Sequence, residues 1–261
     1  PPEPEMAVAP YMPSAFATLR TERYSLRQLW AAAWQVFRRD FWAIAPVVLV
    51  LEVPVSVAAT YEGWLLFVGL LLSILAAIAL AKIVEERVTG QSISFGPAID
   101  FGLSRLGPTL RAILLSICII GALSLLLLIP GFVWLVYYTF VIAVVGLRHV
   151  SGKAALDYSK RLVRGQWWRV FGIAVITTLL CVSVLLLLWV PLNVVCTLLG
   201  VEAILAPQLD PTQQANLFVT ILTESSTSLI LAYQQIVMLL LFLNTDYLAS
   251  SEPPAPSLSH P

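Results

Sequence analysis

The sequence predicts an all-α polytopic membrane protein of six transmembrane helices, and three observations carry that prediction. Hydrophobic residues make up 59% of the chain and charged ones 11%, against about 45–50% and about 25% in soluble domains, so a water-soluble fold would lack a polar coat. The apolar residues, with a mean hydropathy of +0.88, come in runs long enough to cross a hydrocarbon core ~30 Å thick, which takes about 20 helical residues. The Lys and Arg residues keep to alternate connections between those runs. Runs of this length exclude an outer-membrane barrel, whose strands need only about 10 residues.

In chain order, residues 1–24 open on PPEPEMAVAPYMPSAF, with no basic region ahead of an apolar stretch, and so do not read as a secretory signal peptide. Their Pro-rich composition predicts a disordered tail, as does that of residues 249–261. Residues 25–248 form one transmembrane domain. The first span runs from Phe41 to Tyr61 with Glu52 as its charged residue, Glu62-Gly63 makes the turn, and the second runs from Gly63 to Ala81. No charge falls between Arg111 and Arg148, a stretch that suits two crossings, and Pro130-Gly131 divides it by removing a donor and permitting a reversal. The fifth span, Val170 to Val190, is closed by Pro191; the sixth, Leu229 to Leu243, draws on neighbours from Ser226 to Tyr247. Asp210-Pro211 starts a short helix in the connection between them, through an acidic cap and a first-turn proline.

All fifteen Lys and Arg residues lie before span one, between spans two and three, or between spans four and five. Positive charge stays inside, so both termini and two loops are expected on the cytoplasmic side of a bacterial inner membrane. Leu26, Leu29, Trp30, Ala33, Trp34, Phe37 and Phe41 recur at helical spacing while Arg27, Gln28, Gln35 and Arg38 face away, the pattern of an interfacial helix. Setting Ser25, Ser94 and Ser151 in register aligns Leu29 with Ala98 and Ala155, and Phe37 with Leu106 and Val163. Three units of interfacial helix plus hairpin are the reading this suggests.

The stretch from Ile129 to Gly172 carries a Pro-Gly, then an Ala-Leu, a Ser, a Leu, a Gly and a Trp-Arg-rich start of the next span: Pro130, Gly131, Ala155, Leu156, Ser159, Leu162, Gly165, Trp168, Arg169 and Gly172. In these residues the chain resembles the bacterial glycerophosphoryl diester phosphodiesterase membrane-domain family. The family's Tyr-Asp-Leu-Arg ending survives in part, as LNTDYLASS with Asp246. The resemblance implies a membrane module without the catalytic domain. Diester hydrolysis of that kind needs His and acidic residues around a divalent metal, and the two histidines here are His149 at a membrane edge and His260 in the tail.

Glu52 is a candidate for ligand or ion handling, because a carboxylate in hydrocarbon costs at least ~2.5 kcal/mol; with Pro54 close behind, it also reads as a solvated helix end. Gln234 and Gln235 could line a polar path or bond between helices. Arg38, Arg39, Lys153, Lys160, Arg161, Arg164 and Arg169 are candidates for anionic lipid headgroups as well as topology determinants. Trp42, Trp167, Trp168, Tyr137 and Tyr138 read as interfacial anchors. Cys118, Cys181 and Cys196 lack CxxC spacing, and GxSxG, HExxH and phosphate-cradling glycine loops are absent. The expectation is thus a non-enzymatic scaffold or accessory module organising lipids or partner proteins, with no cofactor, metal or nucleic acid. Membrane lipids are its expected partners, with a membrane protein or a second copy as further ones. The alternative is a small-solute or lipid transporter using Glu52 and the intramembrane polar residues.

Overall fold

A computed structural model describes residues 14–54, 63–91, 93–126, 128–198 and 217–251. A short 3-10 segment, Ser14–Arg20, precedes α1 (Leu26–Arg39), α2 (Phe41–Leu51), α3 (Leu65–Val88), α4 (Phe95–Leu126), α5 (Leu128–Tyr137), α6 (Val141–Arg148), α7 (Lys153–Val163), α8 (Trp167–Leu198) and α9 (Leu217–Ser251). No strand occurs among the described residues. The fold is all-α, and five stretches are long and apolar enough to cross a bilayer: Leu65–Val88, Phe95–Ser124, Gly131–Arg148, Trp167–Leu192 and Ile221–Ser251. This is a multi-pass membrane protein.

The expected first span differs. It is seen as the shorter apolar helix α2 and the residues up to 54; its remainder, residues 55–61, lies outside the described residues, as do residue 62 of the expected turn and residues 199–216 with Asp210-Pro211. Other boundaries move because proline is tolerated where the sequence reading made it a terminator. α4 ends at Leu126 and α5 begins at Leu128, so the hairpin turns ahead of Pro130, which falls in the first turn of α5. There the missing N–H has no helical bond to lose. Gly131 matters for proximity: a Cβ at this position would collide with Ser124 on the other arm. α8 runs through Pro191 to Leu198, and α4 runs through Pro108, fusing the expected lead-in with its span. Spanning helices accept proline when neighbouring groups re-satisfy the freed carbonyl.

The N-terminal boundary also moves. Residues 14–24 were expected within a disordered tail, but Phe16, Leu19 and Tyr24 are buried in the core. The rest of that tail, and residues 252–261, lie outside the described residues.

α3, α6 and α9 form the centre of the bundle. α3 packs against both others, and Phe140, the N-cap of α6, meets Phe242 of α9 with rings 5.7 Å apart. Their spanning stretches are 44–50% buried, against 17% for those of α4 and α8, which turn Ile117, Leu179, Leu187 and similar side chains outward. In water such surfaces would aggregate; in a bilayer they meet lipid.

The amphipathic segments pack against this bundle. α1 crosses α9, α7 packs on α5 and α6, and Gly102 of α4 sits so close to Leu75 and Ala79 of α3 that a larger side chain would displace them. Leu29, Ala98 and Ala155, in register in the sequence, are each 0% exposed. One turn on, Ala33, Gly102 and Ser159 are buried as well. The shared feature is a small residue at a close helix crossing. α1 starts with a capping box in which the Gln28 N–H donates to Ser25 Oγ and the Ser25 N–H to Gln28 Oε1. α7 is separated from α8 at Gly165, whose φ of +88° favours glycine.

Candidate functional site

The three central helices bring ionisable residues to the same end. Arg148 of α6 donates from Nη1 to Glu85 Oε1 of α3 and from Nε to Asp246 Oδ2 of α9, both at 2.7 Å. The Tyr158 hydroxyl of α7 donates to the other Asp246 oxygen, and the Arg148 guanidinium lies over the Phe242 ring. Lys82 adds a second cation, 3.3 Å from Glu85 and 2.6 Å from Glu86. Arg87 pairs through two donors with Asp40, the junction residue of α1 and α2. A layer of alternating charges therefore ties α2, α3, α6, α7 and α9 together, with Asp246 only 3% exposed.

Asn244, 0% exposed, anchors a second cluster. Its Nδ2 donates to the carbonyls of Leu19 and Glu22, while Oδ1 accepts from the Tyr24 N–H and from Arg169 Nη2. All four of the amide's bonds are made. Arg169 also reaches the Tyr24 carbonyl and Gln166 Oε1.

Burial, and then the Asp246 carboxylate, push the Tyr158 phenol up to about 12, from about 10 for a free tyrosine. Because the folded value is the higher one, this contribution to stability is complete below pH ~10 and disappears as pH rises through about 12. A near-ultraviolet titration of tyrosinate should show a step near pH 12 that vanishes in Tyr158→Phe and moves down in Asp246→Asn. Persistence of that step in Tyr158→Phe would refute the assignment.

Comparison with family models, characterised proteins and solved structures returns no match. Of the motif residues named from the sequence, those on α7 pack the fold and others do not. Ala155, Leu156, Ser159 and Leu162 are the buried face of α7. Ser159 Oγ donates to the Tyr137 carbonyl at 2.7 Å, next to the turn at residues 138–140 where helical bonding is interrupted. Trp168 is 77% exposed, and Gly172 has open space where a side chain would be.

The other predicted residues divide. Glu52 caps the end of α2 and lies near Ser228 of α9. Ser228 lies eighteen positions before Asp246, or about 27 Å along the helix, so Glu52 is near the opposite end of the bundle from the ionic layer. Gln234 donates to Thr178 Oγ1 of α8 at 2.9 Å. Gln234 and Gln235 both line a cavity of about 310 Å³ with Thr139, Phe140 and Met238, and Glu52 does not line it. Among the lipid-headgroup candidates, Arg38, Arg39, Lys153, Arg161 and Arg164 are exposed; Lys160 lies over the Trp134 ring at 4.2 Å. Arg169 is the exception, since its guanidinium is turned onto Asn244. Sequence reasoning missed Asp40, Glu85, Tyr158 and Asn244 altogether, and it treated Arg148 only as a topology charge. The available signal was the recurrence of ionisable residues at the end of every second span: Lys82 to Arg87, Arg148, and Asp246.

Proposed function

We propose that this chain is a non-enzymatic membrane scaffold that organises lipids or partner proteins from a tightly closed bundle. The observation that carries this reading is the pairing of its inner polar groups with one another: Arg148 with Glu85 and Asp246, Arg87 with Asp40, and Asn244 with Arg169 and the N-terminal backbone. Such pairing fixes a shape. The outward faces of α4 and α8, by contrast, are broad and apolar.

The topology proposed with it has six crossings, with α2 continuing outward as the first and all the basic groups on the cytoplasmic side of a bacterial inner membrane. The small buried residues Ala33, Gly102 and Ser159, one in each amphipathic segment, support three related units, and kinship with the phosphodiesterase membrane-domain family belongs to this proposal. A transport reading draws on the cavity beside Gln234 and Gln235. The discriminating experiment is purification in native lipid nanodiscs with mass spectrometry of what accompanies the protein. Enrichment of a lipid or a protein supports the scaffold. A small solute retained by the wild type and lost in Gln235→Leu or Glu52→Gln would replace it with transport.

A further inference from the structure

Beneath α1 runs a groove that no internal contact fills. Its volume is about 400 Å³, within the ~300–1,000 Å³ typical of ligand sites, and Trp34, Phe37, Leu180, Val184, Ile230 and Tyr233 form much of its wall. Along α8 it extends from Leu180 to Leu188, about 12 Å at 1.5 Å per residue, so it is an elongated slot parallel to the spanning helices. No charged residue lines it. The polar groups at its edge are already used: Tyr233 donates to the Trp30 carbonyl, and Ser226 to that of Thr223. What remains offers only dispersion and the hydrophobic effect, to a flexible apolar chain lying along the bundle.

The mouth has different chemistry. Trp34 is 54% exposed, and Arg38 lies one helical turn beyond it on the same face, exposed and followed by the exposed Arg39. Among the described residues neither arginine has a carboxylate partner, because the adjacent Asp40 is taken by Arg87. Two unneutralised guanidinium groups at the head of an apolar slot complement an amphiphile with an anionic head and a hydrocarbon tail. We propose that this groove binds one anionic phospholipid, its acyl chain between α8 and α9 under the aromatic ridge of α1 and its phosphate on Arg38. The proposal rests on the scaffold reading and names the lipid class at one site.

The test is native mass spectrometry of the full chain released from micelles doped in turn with phosphatidylglycerol and phosphatidylcholine. The wild type should keep one phosphatidylglycerol in preference to phosphatidylcholine. Arg38→Gln, on an exposed surface where folding is not at stake, should weaken that retention about fivefold and abolish the preference. Val184→Trp, which fills the slot, should remove retention of both lipids while helix content by circular dichroism stays unchanged; if it does not fold, Leu180→Trp takes its place. Equal retention of the two lipids by the wild type, or phosphatidylglycerol retention indifferent to both variants, overturns the site. Lipid still enriched in nanodiscs would then leave the scaffold reading standing, whereas absence of any enriched lipid or protein there defeats that reading itself. A dimer mass abolished by Val184→Trp would give the groove to a second copy and overturn the lipid assignment.

Discussion

Arg148→Leu is expected to cost about 3–5 kcal/mol of stability, because it strips the shared cation from two acids held inside the bundle. The Asp246 side chain is 4% exposed and that of Glu85 is 14% exposed. Glu85 keeps Lys82 after the change; among the described residues Asp246 keeps only the Tyr158 hydroxyl. An uncompensated carboxylate in that position must take up a proton or pull water inward, and either response loosens the junction of α3, α6 and α9. Arg148→Lys should fall between wild type and Arg148→Leu, since a single ammonium cannot serve two acceptors in the forked geometry of a guanidinium. The combined change Glu85→Leu, Arg148→Met, Asp246→Leu should recover most of the loss, because replacing a whole buried ionic group with apolar side chains is often neutral or stabilising. Thermal unfolding in detergent micelles measures all three. A loss under about 0.5 kcal/mol for Arg148→Leu, the scale of an exposed pair, would mean that the ionic layer contributes nothing to holding the helices together.

Composition and run length made the helical membrane architecture legible, because those properties belong to stretches of twenty residues rather than to single positions. Boundaries were less legible. Proline was read at Pro130 and Pro191 by its behaviour in water, yet α5 holds the first in its opening turn and α8 continues through the second. The ionic layer was illegible for a different reason. Arg148 and Asp246 are 98 positions apart, and Asn244 and Leu19 are 225 apart, so no local pattern joins them. A rule that assigns every Lys and Arg to topology cannot tell Arg169, folded onto Asn244, from Arg164, which faces outward. The register of Ser25, Ser94 and Ser151 also brings Ala33, Gly102 and Ser159 into line, one small buried residue in each amphipathic segment. What it could not show was the partner, which for α1 is α9, at the far end of the chain.

Asn244→Leu is expected to release the N-terminal segment from the bundle at a cost of about 2–4 kcal/mol. The amide makes four hydrogen bonds in a site with no exposure, and each is worth about 1 kcal/mol net. Leucine matches the side chain in size, so the effect isolates hydrogen bonding from packing. The carbonyls of Leu19, in the last turn of the 3-10 segment Ser14–Arg20, and of Glu22, just past it, depend on Asn244 Nδ2. Deprived of it, they regain partners only by meeting water, and the cheapest route is for residues 14–24 to lift away from α9. The penalty is then capped by the free energy of that local opening, and the rest of the bundle should stay folded. Hydrogen exchange should show protection lost over residues 19–25 and retained in α3 and α6, and trypsin should gain access at Arg20 and Arg23. Asn244→Asp should open the segment too, although it strengthens the bond to Arg169, because a carboxylate cannot donate to either carbonyl. Unchanged exchange at residues 19–25 in both variants would show that Phe16, Leu19 and Tyr24 hold the segment by burial alone.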